Sequence, residues 1–178
     1  LGRTAPLVEE GADPRLLFAL RFNLTANLGH LGRHQEAAET LPEVREMAVQ
    51  LRNELDLIRV HWLEGRVAAG QGRRTEAAGI LAQVRGEFVA RGIDYNAALV
   101  AMELAVLYLE EGWTGEVKAQ AREMAPIFQA QGVHREALAA LRLFCDAAER
   151  EAVTLEMARR LVHYLERARL DPELRYVG

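Results

Sequence analysis

Hydrophobic residues recur along this chain at spacings of three and four residues, the pattern of one helix face. The clearest run is Ala37, Leu41, Val44 and Ala48. Equivalent runs follow at 40-residue intervals: Ala77, Leu81, Val84, Phe88; Val117, Ala121, Met124, Phe128; and Met157, Leu161, Tyr164, Ala168. The sequence contains no alternating run of apolar and polar residues of the kind that predicts a strand. The pattern therefore predicts an all-α protein.

A 40-residue repeat is visible in three further sets of positions. Glycines recur at Gly32, Gly72 and Gly112, while the fourth unit has Ala152 in their place. A residue four positions later is acidic: Glu36, Glu76, Glu116 and Glu156. A small residue lies seven positions before each glycine position: Thr25, Gly65, Ala105 and Cys145. Such a period is typical of stacked helical hairpins, which cannot bury their apolar faces alone.

Each repeat is predicted to hold two helices joined by a short turn. The predicted helices lie near 14–30, 34–52, 55–70, 74–91, 95–110, 114–131, 134–150 and 154–169. They group into repeats 13–53, 54–93, 94–133 and 134–169, followed by a cap or tail at 170–178. Residues 1–12 are expected to end a preceding repeat, because Leu7 and Val8 fall 40 positions before Met47 and Ala48. Asp94 and Thr154 are predicted N-caps.

Two prolines lie inside predicted helices. Pro42 and Pro126 each remove a backbone donor, so a kink is expected at each of them. The repeat register nevertheless favours helices that continue through both prolines.

Composition narrows the classes of function. The chain has 178 residues, 50% of them hydrophobic and 27% charged, with a formal net charge of −4. That charge argues against nucleic acid as a partner, because phosphate binding requires a basic surface. No apolar run is long enough for a membrane span. The single cysteine, Cys145, excludes an internal disulfide and a multi-cysteine zinc site.

The hairpin pattern resembles the tetratricopeptide repeat, in a 40-residue variant. Gly32 with Glu36-Ala37, and Gly72 with Glu76-Ala77, are the best matches. The resemblance implies a right-handed α-solenoid of antiparallel hairpins whose first helices line a concave groove for a peptide or protein. It also implies a module of a larger cytoplasmic bacterial regulator, here its C-terminal part. The chain departs from the family where Ala152 replaces the glycine, and where Trp62 lies one position after the usual tryptophan.

The predicted groove combines cationic and apolar side chains. Arg59, Trp62 and Arg66 share one side of a helix, at spacings of three and four residues. Arginine matches carboxylate geometry and tryptophan is a favoured anchor, so an acidic or C-terminal peptide segment is the expected partner. The complete set of predicted groove residues is Phe22, His30, Arg59, Trp62, Arg66, Met102, Val106 and Arg142. The alternative for this set is a solvated helix face with Trp62 packed on its neighbours.

Polar residues also intrude on the expected inward faces. Arg21 and Glu64 lie where later repeats have apolar residues, so an ion pair between first helices is one interpretation. The alternative is a rotated helix that turns its apolar residues, Val60, Leu63 and Val67, inward.

No set of residues predicts catalysis, a metal site or a cofactor. His30 and His34 flank a turn, and Cys145 occupies the small packing position of its repeat, so an inert thiol is expected. The leading hypothesis is therefore a non-enzymatic interaction module. A ligand-sensing regulatory domain and a self-association module that forms homo-oligomers are the alternatives.

Overall fold

A computed structural model of the protein describes residues 13–128, 135–150, 152–171 and 174–176. Within those residues the chain is all-α, with eight helices and no strand, as the sequence predicts. The helices are α1 Pro14–His30, α2 His34–Gln50, α3 Glu54–Gly70, α4 Arg74–Ala90, α5 Asp94–Glu110, α6 Thr114–Phe128, α7 Arg135–Glu149 and α8 Leu155–Ala168. Consecutive helices pack in the repeat-like order of an α-solenoid. The chain divides into two compact units, 1–80 and 81–178, with the boundary inside α4.

The loops between the helices follow a shorter period than the sequence suggests. The first six helices begin 20 residues apart, and the first five are each 17 residues long. Five successive three-residue loops have a left-handed residue at their second position: Gly32, Arg52, Gly72, Gly92 and Gly112, with φ from 51° to 76°. The 20-residue period is hidden in the sequence because Arg52 breaks the glycine series.

The left-handed residues terminate the helices in a defined way. The Arg33 N–H donates to Leu28 O at 2.9 Å, and the Arg73 N–H donates to Ala68 O at 2.9 Å. These bonds reach back five residues around the left-handed glycine, which is the Schellman arrangement. The Ile93 N–H donates to Phe88 O at 2.9 Å around Gly92 in the same way, and α4 ends at Ala90, slightly before the predicted end at 91. The helix α2 ends at Gln50 rather than at the predicted 52, because Arg52 is left-handed.

Alanine substitutions at two glycines are expected to act with opposite signs. Gly72→Ala should lower the free energy of unfolding by about 1 kcal/mol, because alanine is strained at positive φ, although a Cβ at that position would meet nothing within 4 Å. Gly79→Ala, at an exposed and equally open position within α4, should raise it by about 0.8–1 kcal/mol through helix propensity. Urea unfolding of both variants measures the difference, and shifts of the same sign would contradict the loop conformation.

Helix starts also follow the loop geometry. Asp13 and Asn53 cap α1 and α3, each accepting a backbone N–H with its side chain. Thr154 caps α8 as predicted, accepting the Met157 N–H at 3.2 Å. The N-cap prediction for Asp94 is wrong, because Ile93 occupies the cap directly after the left-handed Gly92. Asp94 instead lies in the first turn, where a negative charge is favoured by the helix dipole.

In the first unit, α1, α2 and α3 bury apolar residues against one another. One core cluster joins Phe18 of α1, Val44 and Ala48 of α2, and Val60 of α3. A second joins Leu28, Ala37 and Val67, again one residue from each helix. The helix α3 therefore packs against both helices of the hairpin that precedes it, which is how a solenoid buries successive hairpins.

In the second unit, α5 is packed against more than one other helix. Its neighbours include α6 and α8, and α7 packs against α6 and α8. The Tyr95 hydroxyl donates to Leu165 O, and Arg159 pairs with Glu110 at 2.7 Å, so α8 is tied to both ends of α5. The buried residues of α5 are Ala97, Ala98, Leu99, Val100, Ala101, Met102, Leu104, Ala105 and Leu107. In a strictly regular stack the next first helix, α7, would lie beside α5. Here it is α8 that packs against α5.

The proline prediction is confirmed as far as helix continuity is concerned. Pro42 lies inside α2 and Pro126 lies inside α6. Both helices therefore continue through their prolines, as the repeat register favours. The expected repeat end at 1–12 and the predicted helix residues at 129–131 and 134 lie outside the described residues.

Candidate functional site

The predicted binding residues of the first unit include a pair of arginines on α3, Arg59 and Arg66. The guanidinium carbon of Arg66 lies 4.5 Å from the centroid of the Trp62 ring, a cation–π contact. One turn before Trp62, Arg59 is exposed, and its Nη1 lies 3.3 Å from Oδ1 of Asp56. The three predicted residues of α3 therefore do lie on one side of the helix, with one arginine fixed on the tryptophan and the other near the helix start.

Trp62 itself has little contact with solvent. Its exposed fraction is 7%, so the ring is a packing residue that supports Arg66. Its assignment as a direct peptide anchor is therefore corrected in favour of the packed tryptophan, the alternative that the sequence left open. The polar groups of Arg59 and Arg66 are guanidinium donors, a type of group that can bind a carboxylate with two parallel hydrogen bonds.

The helix α1 contributes the other predicted residues of this unit, and it contacts α3. Phe22 is half-buried and packs against the cluster of Phe18, Val44 and Val60, with its ring centroid 5.8 Å from that of Phe18. His30 is exposed in the last turn of α1. Phe22 therefore belongs to the edge of the core, whereas His30 is accessible.

The three predicted groove residues of the second unit have different environments. Met102 is only 1% exposed, so its place in an apolar groove floor is wrong. The helix that carries Met102, α5, packs against both α6 and α8, and most of its residues from Ala97 to Leu107 are buried. Val106 is half-buried on α5, and Arg142 is exposed on α7. Of this set, only Arg142 presents a fully exposed polar group.

The Arg21–Glu64 ion pair, one of the two interpretations that the sequence left open, is not the pairing observed. Arg21 Nε lies 3.2 Å from Oε1 of Glu43, and Glu64 accepts two hydrogen bonds from Arg45, one of them at 2.7 Å. Both partners lie on α2, which packs against both first helices and is the closer source of opposite charge. The hydrogen bonds with Glu64 raise the pKa of Arg45.

The rotated-helix alternative is confirmed. Val60, Leu63 and Val67 are all buried, with exposed fractions of 0%, 5% and 1%. This rotation places Glu64 at the edge of the core, within reach of α2.

Cys145 shows the features of an inert thiol. Its Sγ donates to Ala121 O at 3.6 Å. Burial raises the pKa of the Cys145 thiol to about 11, with smaller contributions from Asp146 and Glu149. A nucleophilic cysteine needs the opposite shift, because the thiolate is the reactive form.

Slow alkylation of Cys145 is therefore expected. A rise of its pKa from 9.0 to about 11 leaves about 100-fold less thiolate at pH 8 than in an unperturbed thiol. The rate of reaction with iodoacetamide in folded protein, compared with the same protein in urea, measures this difference. A folded rate equal to the unfolded rate would show that the thiol is not protected.

Sequence reasoning missed two features of the first unit. The His34 ring occupies the space into which a Cβ at Gly70 would project, so this histidine closes the contact between the start of α2 and the end of α3. Three leucines of α1 also remain exposed: Leu16, Leu20 and Leu24. Their spacing of four residues is visible in the sequence and could have identified them as a helix face.

The described residues contain no group of three or more His, Cys, Asp or Glu side chains that could hold a metal ion. Within the same ranges, no helix has both the length and the apolar character needed to cross a membrane. No family model, curated protein or solved structure matches the chain. The assignment of a function therefore depends on the residues described above.

Proposed function

We propose that this chain is a non-enzymatic interaction module of the tetratricopeptide type that binds an acidic or C-terminal peptide segment. The observation that carries the proposal is the arginine pair of α3, with Arg66 stacked on Trp62 and Arg59 exposed near the helix start. Stacking on an aromatic ring restricts the guanidinium, so less side-chain entropy is lost when a carboxylate binds.

The packing of the first unit supports this choice of surface. Phe22 and Trp62 are held by the core, so the backbone that carries Arg59, Arg66 and His30 is rigid. A rigid display of few charged groups suits recognition of a flexible peptide, whose ordering already costs free energy. The affinity is expected to fall as salt rises, since Arg59 is exposed to solvent.

The wider context of the module is part of the same proposal. The resemblance to the tetratricopeptide repeat implies a module of a larger protein. We propose that this larger protein is a cytoplasmic bacterial regulator. Its partner is then a protein segment, and no cofactor takes part.

Reversal of the charge at Arg59 tests the proposed surface. A peptide library with free carboxyl termini is selected against the wild-type chain, and the enriched peptides are measured by calorimetry. Arg59→Glu should weaken binding by at least about tenfold, since hydrogen bonds to charged groups contribute about 1.5–3 kcal/mol. The same peptides with amidated C-termini should bind more weakly if the terminal carboxylate is recognised.

Arg150→Glu provides the matched control. Arg150 is exposed and follows α7 in the other unit, so its charge reversal changes the net charge equally without touching α3. Circular dichroism of all variants checks that helix content is retained. Equal affinities for the wild type, Arg59→Glu and Arg150→Glu would exclude α3 as the binding surface.

A further inference from the structure

The outer side of α1 is an apolar face in contact with solvent. Leu16, Leu20 and Leu24 are 61%, 46% and 38% exposed, at successive four-residue intervals. They lie on the side of α1 opposite Phe18 and Thr25, which are buried. We call these three leucines the outer face of α1. An apolar stripe of this kind marks a surface that another element covers.

The equivalent face of α3 shows what that element is. Forty residues after Leu20 is Val60, which is 0% exposed and belongs to the cluster with Val44 and Ala48 of α2. Leu57 packs against the same cluster. In α3 this position is therefore a stacking position, covered by the second helix of the preceding hairpin.

The part of α2 that covers this face is its C-terminal half. The residues concerned are Val44, Met47, Ala48 and Leu51. The same register, 40 residues earlier, gives Thr4, Leu7, Val8 and Gly11. The exposed α2 positions Val49 and Gln50 correspond to the acidic residues Glu9 and Glu10. Residues 4–11 thus have apolar side chains at two of the four covered positions, Leu7 and Val8. Of the four positions that are exposed in α2, two correspond to charged residues and the other two to Ala5 and Pro6.

A second correspondence links the same two segments. In the stack of α2 and α3, Arg45 and Glu64 form a doubly hydrogen-bonded ion pair. The residues 40 positions earlier are Ala5 and Leu24, so both charges are absent together. Loss of only one charge would leave the other without its partner, whereas two apolar residues can pack against each other.

We propose that the outer face of α1 is the docking surface for residues 4–11 of this same chain. The segment is joined to α1 through Ala12 and the N-cap Asp13. Such a short connection gives it an effective concentration in the millimolar range, which a second copy of the chain does not reach at working concentrations. The face is thereby closed within the molecule, independently of the peptide surface on α3.

Cysteine protection tests this proposal directly. In a Cys145→Ala background, Leu20→Cys should react with a thiol reagent at least tenfold more slowly than Val49→Cys, whose side chain is 55% exposed on α2. Adding Leu7→Glu and Val8→Glu should restore the rate at Leu20→Cys and leave the rate at Val49→Cys unchanged. Circular dichroism confirms that each variant is folded.

Hydrogen exchange provides a second readout without a new cysteine. The amides of α1 should exchange at least tenfold faster in the Leu7→Glu, Val8→Glu variant than in the wild type, while those of α5 stay unchanged. Equal thiol rates at the two positions would overturn the proposal. So would protection that increases with protein concentration and survives the glutamate substitutions, since a second copy would then cover the face.

Discussion

Replacing Trp62 with alanine is expected to lower the free energy of unfolding by about 3–5 kcal/mol, the range for a buried aromatic side chain. The ring is 7% exposed, so its removal leaves a cavity in the first unit. It also removes the support on which Arg66 is stacked. Chemical denaturation monitored by circular dichroism measures the loss.

The other tryptophan provides the control for this substitution. Trp113 is half-buried in the loop before α6, where its ring centroid lies 5.9 Å from that of Tyr108. Trp113→Ala should therefore cost clearly less than Trp62→Ala. If the two variants lose equal stability, Trp62 does not have the packing role that its burial indicates. The size of the expected loss is also the reason to test peptide binding with Arg59→Glu, because that side chain is exposed.

Truncation of Leu104 to alanine is expected to cost about 2–5 kcal/mol, the usual range for a buried leucine. Leu104 is 0% exposed on α5, the helix that α6 and α8 enclose. The surrounding helices can collapse only partly into the space, so the lost contacts are not recovered. Urea unfolding of the variant gives the change in free energy.

Leu31→Ala is the matched control for Leu104→Ala. Leu31 is 72% exposed at the C-cap of α1, and surface substitutions usually change stability by less than about 0.5 kcal/mol. A loss below about 1 kcal/mol at Leu104 would contradict the enclosure of α5 by its neighbours.

The positions and ends of the helices were largely predictable from the sequence. Apolar spacing identifies each helix, and the glycines mark most of the loops, because a left-handed residue is needed where each helix ends. Arg52 is the exception, since nothing in its side chain indicates a positive φ. The N-cap prediction for Asp94 is wrong because an acidic residue is favoured both at the cap and in the first turn, so its presence does not distinguish the two positions.

The neighbours of each helix were harder to predict. Spacing shows which residues share a face, but it does not show how many other helices surround that helix. The sequence predicts Met102 as a groove residue, whereas it is 1% exposed on a helix that packs against both α6 and α8. One sequence feature could have indicated this: the segment Ala97–Leu107 is apolar on every side except at Glu103, as expected of an enclosed helix.

The spacing of residues along the sequence also did not predict which charged residues pair with each other. A pair between Arg21 and Glu64 is one interpretation of the sequence, because both residues lie at inward positions of successive first helices. Each instead finds opposite charge on α2, which the repeat places against both. The arginine pair of α3 was predictable as a set, because residues at spacings of three and four lie together on any helix. The burial of Trp62 beneath Arg66 depends on the rotation of α3, which the sequence left open.

The 20-residue spacing of the loops limits how the length of this protein can change. An insertion or deletion of 20 residues would rejoin the chain at a loop of the same conformation, but every later helix would run in the opposite direction. A change of 40 residues restores both the loop conformation and the helix direction. A shortened variant that joins residue 33 to residue 74 should therefore keep its helices in register, whereas a junction from residue 33 to residue 54 reverses them.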